Sequence, residues 1–491
     1  MTPIAGKLRV APREVRPLPK RNRVATYLVT CAQNNTELHR ELWDNILALA
    51  EHEGAEILVS RLTYMSNSRA SKGQKVDVVA KTAKESQEAV ERWAPELDDH
   101  LCDRSVQLAP GLVWCGELNI LPTASNPISG LESYTGRDSS IIPHTKFAMQ
   151  SVASPKSQGT KLIYTTGTVT QRHYIAKKAG QKAEFHHGYG CLIVEVCSDG
   201  VWFVRQINAD SEGDFYDLDR KVSRGKVSHG HRPEALAWGD IHVRALADDM
   251  SDIGWGAGGI LDTLRPRRQI MHDLLDFRSA NHHDRDDPWK TYVKHVGGTT
   301  AVGHEVCEAA AFLDKAARKW CETVVVRSNH DEALVRWLKE ADYREDPENA
   351  VFHLDTNAAA YKAMAAGELF DAIEHVLRAA GAPRGTRFLK RDEQYIVCED
   401  AGGGIELGMH GDIGVNGSRG SLAQFARTGR KCVVGHSHVA GIHEGAYQVG
   451  VMGALDQGYN EGQSSWSHSN VIVYPNGKRA VLTIWNGRWH R

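Results

Sequence analysis

An α/β architecture is predicted for this chain, with an N-terminal α/β domain followed by a second α/β domain. Three observations predict it. Residues 24–59 read as strand, helix and strand, which is a β-α-β unit. The second half again mixes valine-rich strand-like runs with helical stretches. Five short His, Asp and Asn clusters in that half follow or lie close to strand-like segments, at the strand-end loops where active sites collect.

At 491 residues the chain exceeds one ordinary domain, so two or three are expected. Residues 1–23 read as a basic extended arm, 24–230 as an N-terminal α/β domain and 231–491 as the second domain. The arm carries Lys7, Arg9, Arg13, Arg16, Lys20, Arg21 and Arg23, with prolines between them and only Glu14 opposing. It suits a solubilising tail or an arm that contacts a polyanion.

In the N-terminal domain, residues 24–29 read as a strand and Asn35 or Thr36 as the cap of a helix. Leu38, Leu42, Ile46 and Leu49 fall on one face of that helix, and Ile57-Leu58-Val59 after Gly54 reads as a second strand. Residues 122–143, rich in Ser, Gly and Pro, suggest a long ordered loop, and 162–170 a strand. Segments 191–196 and 201–205 flank Ser198-Asp199-Gly200, a hairpin signal. A broken run of Lys156, Lys161, Lys177, Lys178 and Lys182 fits a solvated face or nucleic-acid contact. The polar segment 223–233 reads as the junction between domains.

Beyond it, 303–320 suggests a helix and 323–326 a strand. Residues 331–380 read as a mostly helical insertion that stops at Gly381-Ala382-Pro383. Asn476-Gly477 turns a hairpin between 471–474 and 481–485.

Composition excludes several classes. A formal charge of −2 gives no global attraction to a polyanion. No apolar run approaches the length that crosses a bilayer, and the N-terminus lacks the apolar core of a secretory signal. Nine cysteines without a C-x-x-C pair argue against a disulfide framework and a zinc knuckle, so a reducing cytoplasm is expected.

The clusters carry the chemistry. They are Asp240-Ile241-His242, Asp273, Asn329-His330-Asp331, His410 and His436-Ser437-His438. In extended chain, Asp240 and His242 can point to one side, as can His436 and His438. Asp273, within His272-Asp273-Leu274-Leu275-Asp276, is a candidate bridging carboxylate, and Asn329 offers a carbonyl oxygen. Together they suffice for two metals sharing one carboxylate. Two metals can clamp the attacking and leaving oxygens of an in-line displacement, which suggests a binuclear phosphoesterase. Oxygen and imidazole ligands without thiolate suit manganese (Mn2+), with magnesium, iron and zinc as alternatives.

Gly239-Asp240-Ile241-His242, His272-Asp273-Leu274-Leu275-Asp276, Ser328-Asn329-His330-Asp331, His410-Gly411 and Gly435-His436-Ser437-His438 together resemble the calcineurin-like metallophosphoesterases, over roughly residues 235–491. The resemblance implies a four-layer α/β/β/α sandwich with ligands on loops at one edge. It implies that Asp240, His242, Asp273 and His438 hold one metal and that Asp273, Asn329, His410 and His436 hold the other. His330 is then left to assist the leaving group or to stabilise phosphoryl charge, which makes His330 and Asp273 the catalytic pair. The chain departs from that pattern at His272, where a Gly is usual, at Asp276-Phe277-Arg278 in place of Asp-Arg-Gly, and at Asp331 in place of Glu. These departures argue against a phosphoprotein substrate and towards the recombination-repair exonuclease and phosphodiesterase branches. Asp276, Arg278, Asn281, His282, His283 and Asp331 are candidates for substrate contact or ligand support, although Asn281-His282-His283-Asp284 also reads as a polar surface loop.

Over its full length the chain resembles the pre-early DNA-transfer and host-DNA-degradation proteins of T-five-type phages. That implies a DNA substrate and action in the host cytoplasm. A small-molecule or nucleotide phosphodiesterase and a non-catalytic DNA-transfer or interaction protein remain alternatives, because fold does not fix substrate. So large an N-terminal region without a catalytic motif is expected to serve assembly, as in a homo-oligomer, or substrate access.

Overall fold

The computed structural model describes residues 13–64, 91–281, 284 and 287–490. Among these the chain is mixed α/β, with ten α-helices and several sheets. The N-terminal β-α-β unit forms as expected. Val24–Gln33 and Glu56–Leu62 pair in parallel around the helix Arg40–Glu53. Leu42, Ile46 and Leu49 are buried under that helix, and Gly54 ends it at φ 61, a conformation glycine adopts without steric cost. The cap differs from expectation. His39 Nδ1 accepts the backbone N–H of Leu42, so the helix starts later than Asn35 or Thr36 would set it.

Gly190–Cys197 and Trp202–Asn208 make the expected hairpin and complete a four-stranded sheet. Two other readings shift. The strand expected over 162–170 is Lys161–Thr165. It stops because Gly167 turns at φ +72 and the Phe147 ring occupies the space where a Cβ would project. The loop expected over 122–143 ends early, because Ser139–Ile142 is a fully buried strand between Leu112–Cys115 and Lys161–Thr165.

Two sheets position the candidate site. A six-stranded sheet runs in the order Thr386–Phe388, Glu322–Val325, Arg268–Met271, Ala235–Ala237, Ser469–Val473, Arg479–Thr483. Its first four strands are parallel, and the last two form the hairpin that Asn476-Gly477 turns. The helices Val302–Ala316, Asn329–Glu340 and Ala372–Ala379 cover one face through Leu313, Leu334 and Leu377. On the other face Ala237, Ile270 and Val471 share a core with Val433, Ile442 and Tyr447 of an eleven-stranded sheet. The short helix Leu422–Ala426 lies beyond that second sheet, through Phe425 and Val434. Residues 331–380 are mostly helical, as the sequence suggests.

The eleven-stranded sheet joins the two halves of the chain. Met149–Val152 pairs antiparallel with Gly441–His443, with Met149 opposite Ile442 and Gln150 opposite Gly441. The described part of the basic arm is also tied down. Glu14–Val15 pairs with Ser105–Ala109, Arg16 reaches Glu56 at 2.6 Å and Arg13 reaches Ser105 at 3.2 Å. Lys7 and Arg9 lie outside the described residues.

One buried ion cluster in the N-terminal half predicts a stability effect. Arg205, 1% exposed, binds Asp217 through Nε at 2.8 Å and Nη2 at 2.9 Å, and Glu195 through Nη1 at 2.5 Å. Removing one member of such a cluster leaves an uncompensated buried charge, so Arg205→Ala should lower unfolding free energy by ~3–5 kcal/mol in urea melts. Burial alone would raise the Asp217 carboxyl, but Arg205 and Arg220 hold it at about 2. Its stabilising contribution is therefore present above an ordinary carboxyl pKa and lost as pH falls towards 2. The wild-type loss over that acid range should shrink in Arg205→Ala.

Candidate metal centre

The clusters meet at one edge because parallel strands end there together. Asp240 and His242 follow Ala235–Ala237, Asp273 follows Arg268–Met271, and Asn329 and His330 follow Glu322–Val325. His436 and His438 follow Lys431–Val434, and His410 follows the adjacent Ile405–Glu406. The loops are laced together by backbone. The N–H groups of Ile241, His242 and Val243 donate to the carbonyls of His272, Asp273 and Leu274 at 3.0, 2.8 and 3.2 Å. Gly435 N–H donates to His410 O at 2.6 Å, and Leu275 N–H donates to Asp331 Oδ1 at 2.8 Å.

His242, Asp273, His436 and His438 all adopt left-handed backbone, at φ 49, 46, 74 and 61. Each such residue costs roughly 1–3 kcal/mol and persists where its surroundings over-determine it, commonly at functional sites. Four of the seven expected ligands carry this strain.

The side chains converge. Asp240, His242, Asp273 and His438 are buried and present ligand atoms within 4.8 Å of one another. His242 Nε2 and His438 Nε2 are 2.9 Å apart, and His438 Nε2 lies 3.4 Å from Asp240 Oδ2. On the other side of Asp273, its Oδ2 is 3.3 Å from His410 Nε2. Asn329 Oδ1 lies 3.2 Å from both His410 Nε2 and His436 Nδ1. The first group is closed off, whereas Asn329 is exposed and His436 half-buried, so the second opens to solvent.

These residues fit a cation. Both oxygens of Asp240 and both of Asp273 are buried without a hydrogen-bond partner. Two buried carboxylates in that condition are strongly unfavourable unless a positive charge compensates them. Burial, and then the nearby Asp273 charge, pushes the Asp240 carboxyl well above its usual range. Burial also works against Asp273, but His410 and His330 hold it well below. His438 is pushed well down by burial and by His242, which keeps its imidazole neutral and able to ligate. The buried Asp and His groups could therefore hold a metal ion.

His330 sits beside this set rather than in it. Its Nδ1 lies 3.2 Å from the Asp276 carbonyl and 3.4 Å from Asp276 Oδ1, which leaves Nε2 for another partner. Burial would lower its pKa, but Asp273 and Asp276 push it up to about 10. Asp276 Oδ1 is also 3.1 Å from His242 Nδ1, so one carboxylate orients a ligand and its neighbour. Asp276→Asn should weaken metal affinity about 10–100-fold, as loss of outer hydrogen-bond partners does, which a manganese titration would measure.

The remaining expected residues divide. Arg278 pairs with Asp276 and donates from Nη2 to Gln457 Oε1 at 3.1 Å. Asp331 is buried, accepts from Ser328 Oγ at 2.8 Å and ties the helix start to the loop after Asp273. Asn281 lines a cavity with Tyr292 and Trp337 to which no ligand contributes. His282 and His283 lie outside the described residues.

Sequence reasoning missed the segment 453–466. Trp466 packs edge-on against His438, with ring centres 4.2 Å apart, and Tyr459 packs on Trp466 at 5.5 Å. The N-terminal half holds this segment. Ser154 and Ser464 exchange backbone hydrogen bonds of 3.0 and 2.9 Å, Lys156 meets Asp456 at 2.8 Å, and Thr160 Oγ1 donates to the Trp466 carbonyl. Of the lysine run, Lys161 donates to the Glu132 and Gly136 carbonyls and Lys182 pairs with Glu444. Two aromatics in a Gly- and Ser-containing stretch were the available signal.

Protein A1 of Escherichia phage T5 is 36% identical to this chain over 477 residues, covering 94% of this chain and 82% of that protein. No family model matches the chain, and no solved structure matches it.

Proposed function

Because the chain belongs to the family of Protein A1 of Escherichia phage T5, we propose that it is a manganese-dependent DNase of the calcineurin-like metallophosphoesterase type, acting on host DNA in the host cytoplasm. One observation carries the reading. The two buried carboxylates Asp240 and Asp273, whose oxygens have no hydrogen-bond partner, stand amid imidazoles on strand-end loops. Divalent cations held there would activate a water and neutralise phosphate oxygens.

The chain's own residues supply the rest. Asp273 lies between the two ligand groups and contacts both, through His242 at 3.6 Å and His410 at 3.3 Å. Asp276 holds Nδ1 of His330, so Nε2 is the atom placed to give a proton to the leaving oxygen or to steady phosphoryl charge. The exposed edge at Asn329 and His436 is the side from which a phosphodiester would approach. DNA as the substrate is supported by the whole-chain resemblance to host-DNA-degradation proteins. No helix among the described residues is long and apolar enough to cross a membrane.

A smaller substrate is the second reading. It is favoured by the segment 453–466, which packs Trp466 against His438 of the first ligand group. Purified protein incubated with duplex DNA, single-stranded DNA and bis-p-nitrophenyl phosphate separates the readings. A DNase degrades DNA only with manganese, and His330→Ala should slow it about 10²–10⁴-fold, as loss of a general acid does. Turnover of the small ester with DNA left intact would favour the second reading. Bound metal with neither substrate turned over would overturn both and favour a DNA-transfer role.

A further inference from the structure

One imidazole on the buried side of the centre has no role in the scheme above. His272 follows the strand Arg268–Met271 and is 0% exposed. Neither of its ring nitrogens has a hydrogen-bond partner. Its ring centre lies 5.6 Å from that of His410. One of its nitrogens forms, with a carboxylate oxygen of Asp240 and a nitrogen of His410, a group whose members are all within 4.8 Å of one another.

This arrangement is costly unless something fills it. A buried polar atom without a hydrogen-bond partner is destabilising, and His272 and Asp240 each bury two. An imidazole kept for packing would be expected to have a carbonyl or hydroxyl against at least one nitrogen. The neighbouring backbone approaches this closely only because Gly435 has no side chain. A Cβ at Gly435 would stand 2.2 Å from Asp240 Oδ1 and 3.3 Å from His272 Cγ. Ligands about 2.0–2.2 Å from an ion lie at most roughly 4.4 Å from one another, so a closure of a few tenths of an ångström would complete the group.

We propose that His272 is itself a metal ligand, holding a further divalent cation on the buried side of the centre together with Asp240 and His410, apart from the two ions assigned above. The proposal rests on reading the centre as a metal site. It adds an imidazole to the ligand set that the resemblance implies, at the position where that pattern has a glycine. A further nitrogen ligand shifts preference from magnesium towards manganese, iron or zinc, since imidazole suits the transition metals and carboxylate or carbonyl oxygen suits magnesium.

Two variants test it in the full-length protein. His272→Phe fills a similar volume without a donor or acceptor, and His272→Gln keeps polarity and decides the matter if the ring does not fit. The readouts are manganese affinity by calorimetry, nitrogen couplings in pulsed EPR of the manganese-loaded protein, and urea melts of the metal-free protein. The expected result is a loss of about 10-fold or more in affinity for one manganese ion and the loss of one imidazole coupling. Metal-free His272→Phe should be no less stable than the wild type. Wild-type affinity and couplings in the folded variants would overturn the proposal and leave the metal centre standing, whatever happens to stability. A wild-type protein that binds no manganese would overturn both.

Discussion

Asp273→Asn should leave a folded protein that has lost metal binding and activity together. Asp273 contacts both ligand groups, and both of its oxygens are buried without a hydrogen-bond partner. Outer partners of metal ligands cost about 10–100-fold when removed, so a shared ligand should cost more than ~100-fold in affinity. Stability separates this from misfolding. The metal-free variant should lose some stability, because the carboxylate that His410 and His330 hold ionised is gone, yet should still unfold in one cooperative transition. The wild type should gain ~2.7 kcal/mol for each ion present at 100 times its Kd, and the variant should not. Urea melts with and without manganese measure both differences. A variant that still gains the wild-type increment would show that Asp273 is not shared.

Gly435→Ala should be nearly as damaging, although it changes no ligand. The added methyl would stand 2.2 Å from Asp240 Oδ1, closer than real contacts allow. Asp240 is fully buried and its backbone is held by Val451 and Gly450, so relieving the clash displaces the carboxylate from its ligand position. The expected result is loss of one manganese ion and a fall in activity of about 100-fold or more, comparable to losing a ligand's support. Gly385→Ala is the control, because nothing lies within 4 Å of a Cβ there. If the two variants bind manganese equally, Asp240 does not ligate from the position described.

The residues that converge at the candidate centre were readable in the sequence because strand-end loops impose local patterns. Asp240 with His242, and His436 with His438, are spaced by one residue, and the valine-rich strand before Asn329 marks its own end. Left-handed backbone at His242, Asp273, His436 and His438 was not readable, since it comes from loops laced across more than thirty residues, as between 241–243 and 272–274. Trp466 and Tyr459 were hidden for the same reason. What brings them to His438 is Ser154, Lys156 and Thr160, about three hundred residues away in sequence. The pairing of Gln150 with Gly441 is equally non-local, so a sheet shared by the two halves left no mark in either stretch. Smaller misses have local causes. His39 displaced Asn35 and Thr36 as the helix cap, and Gly167 ended a strand whose threonines favour extension.

The central claim is that these loops form a two-metal centre around Asp273. Anomalous diffraction from crystals soaked in manganese tests it most directly. The expected map includes two strong peaks roughly 3.5–4 Å apart, one among Asp240, His242, Asp273 and His438 and the other among Asp273, Asn329, His410 and His436. A map with no peak at Asp273, or with manganese only elsewhere on the protein, would contradict it.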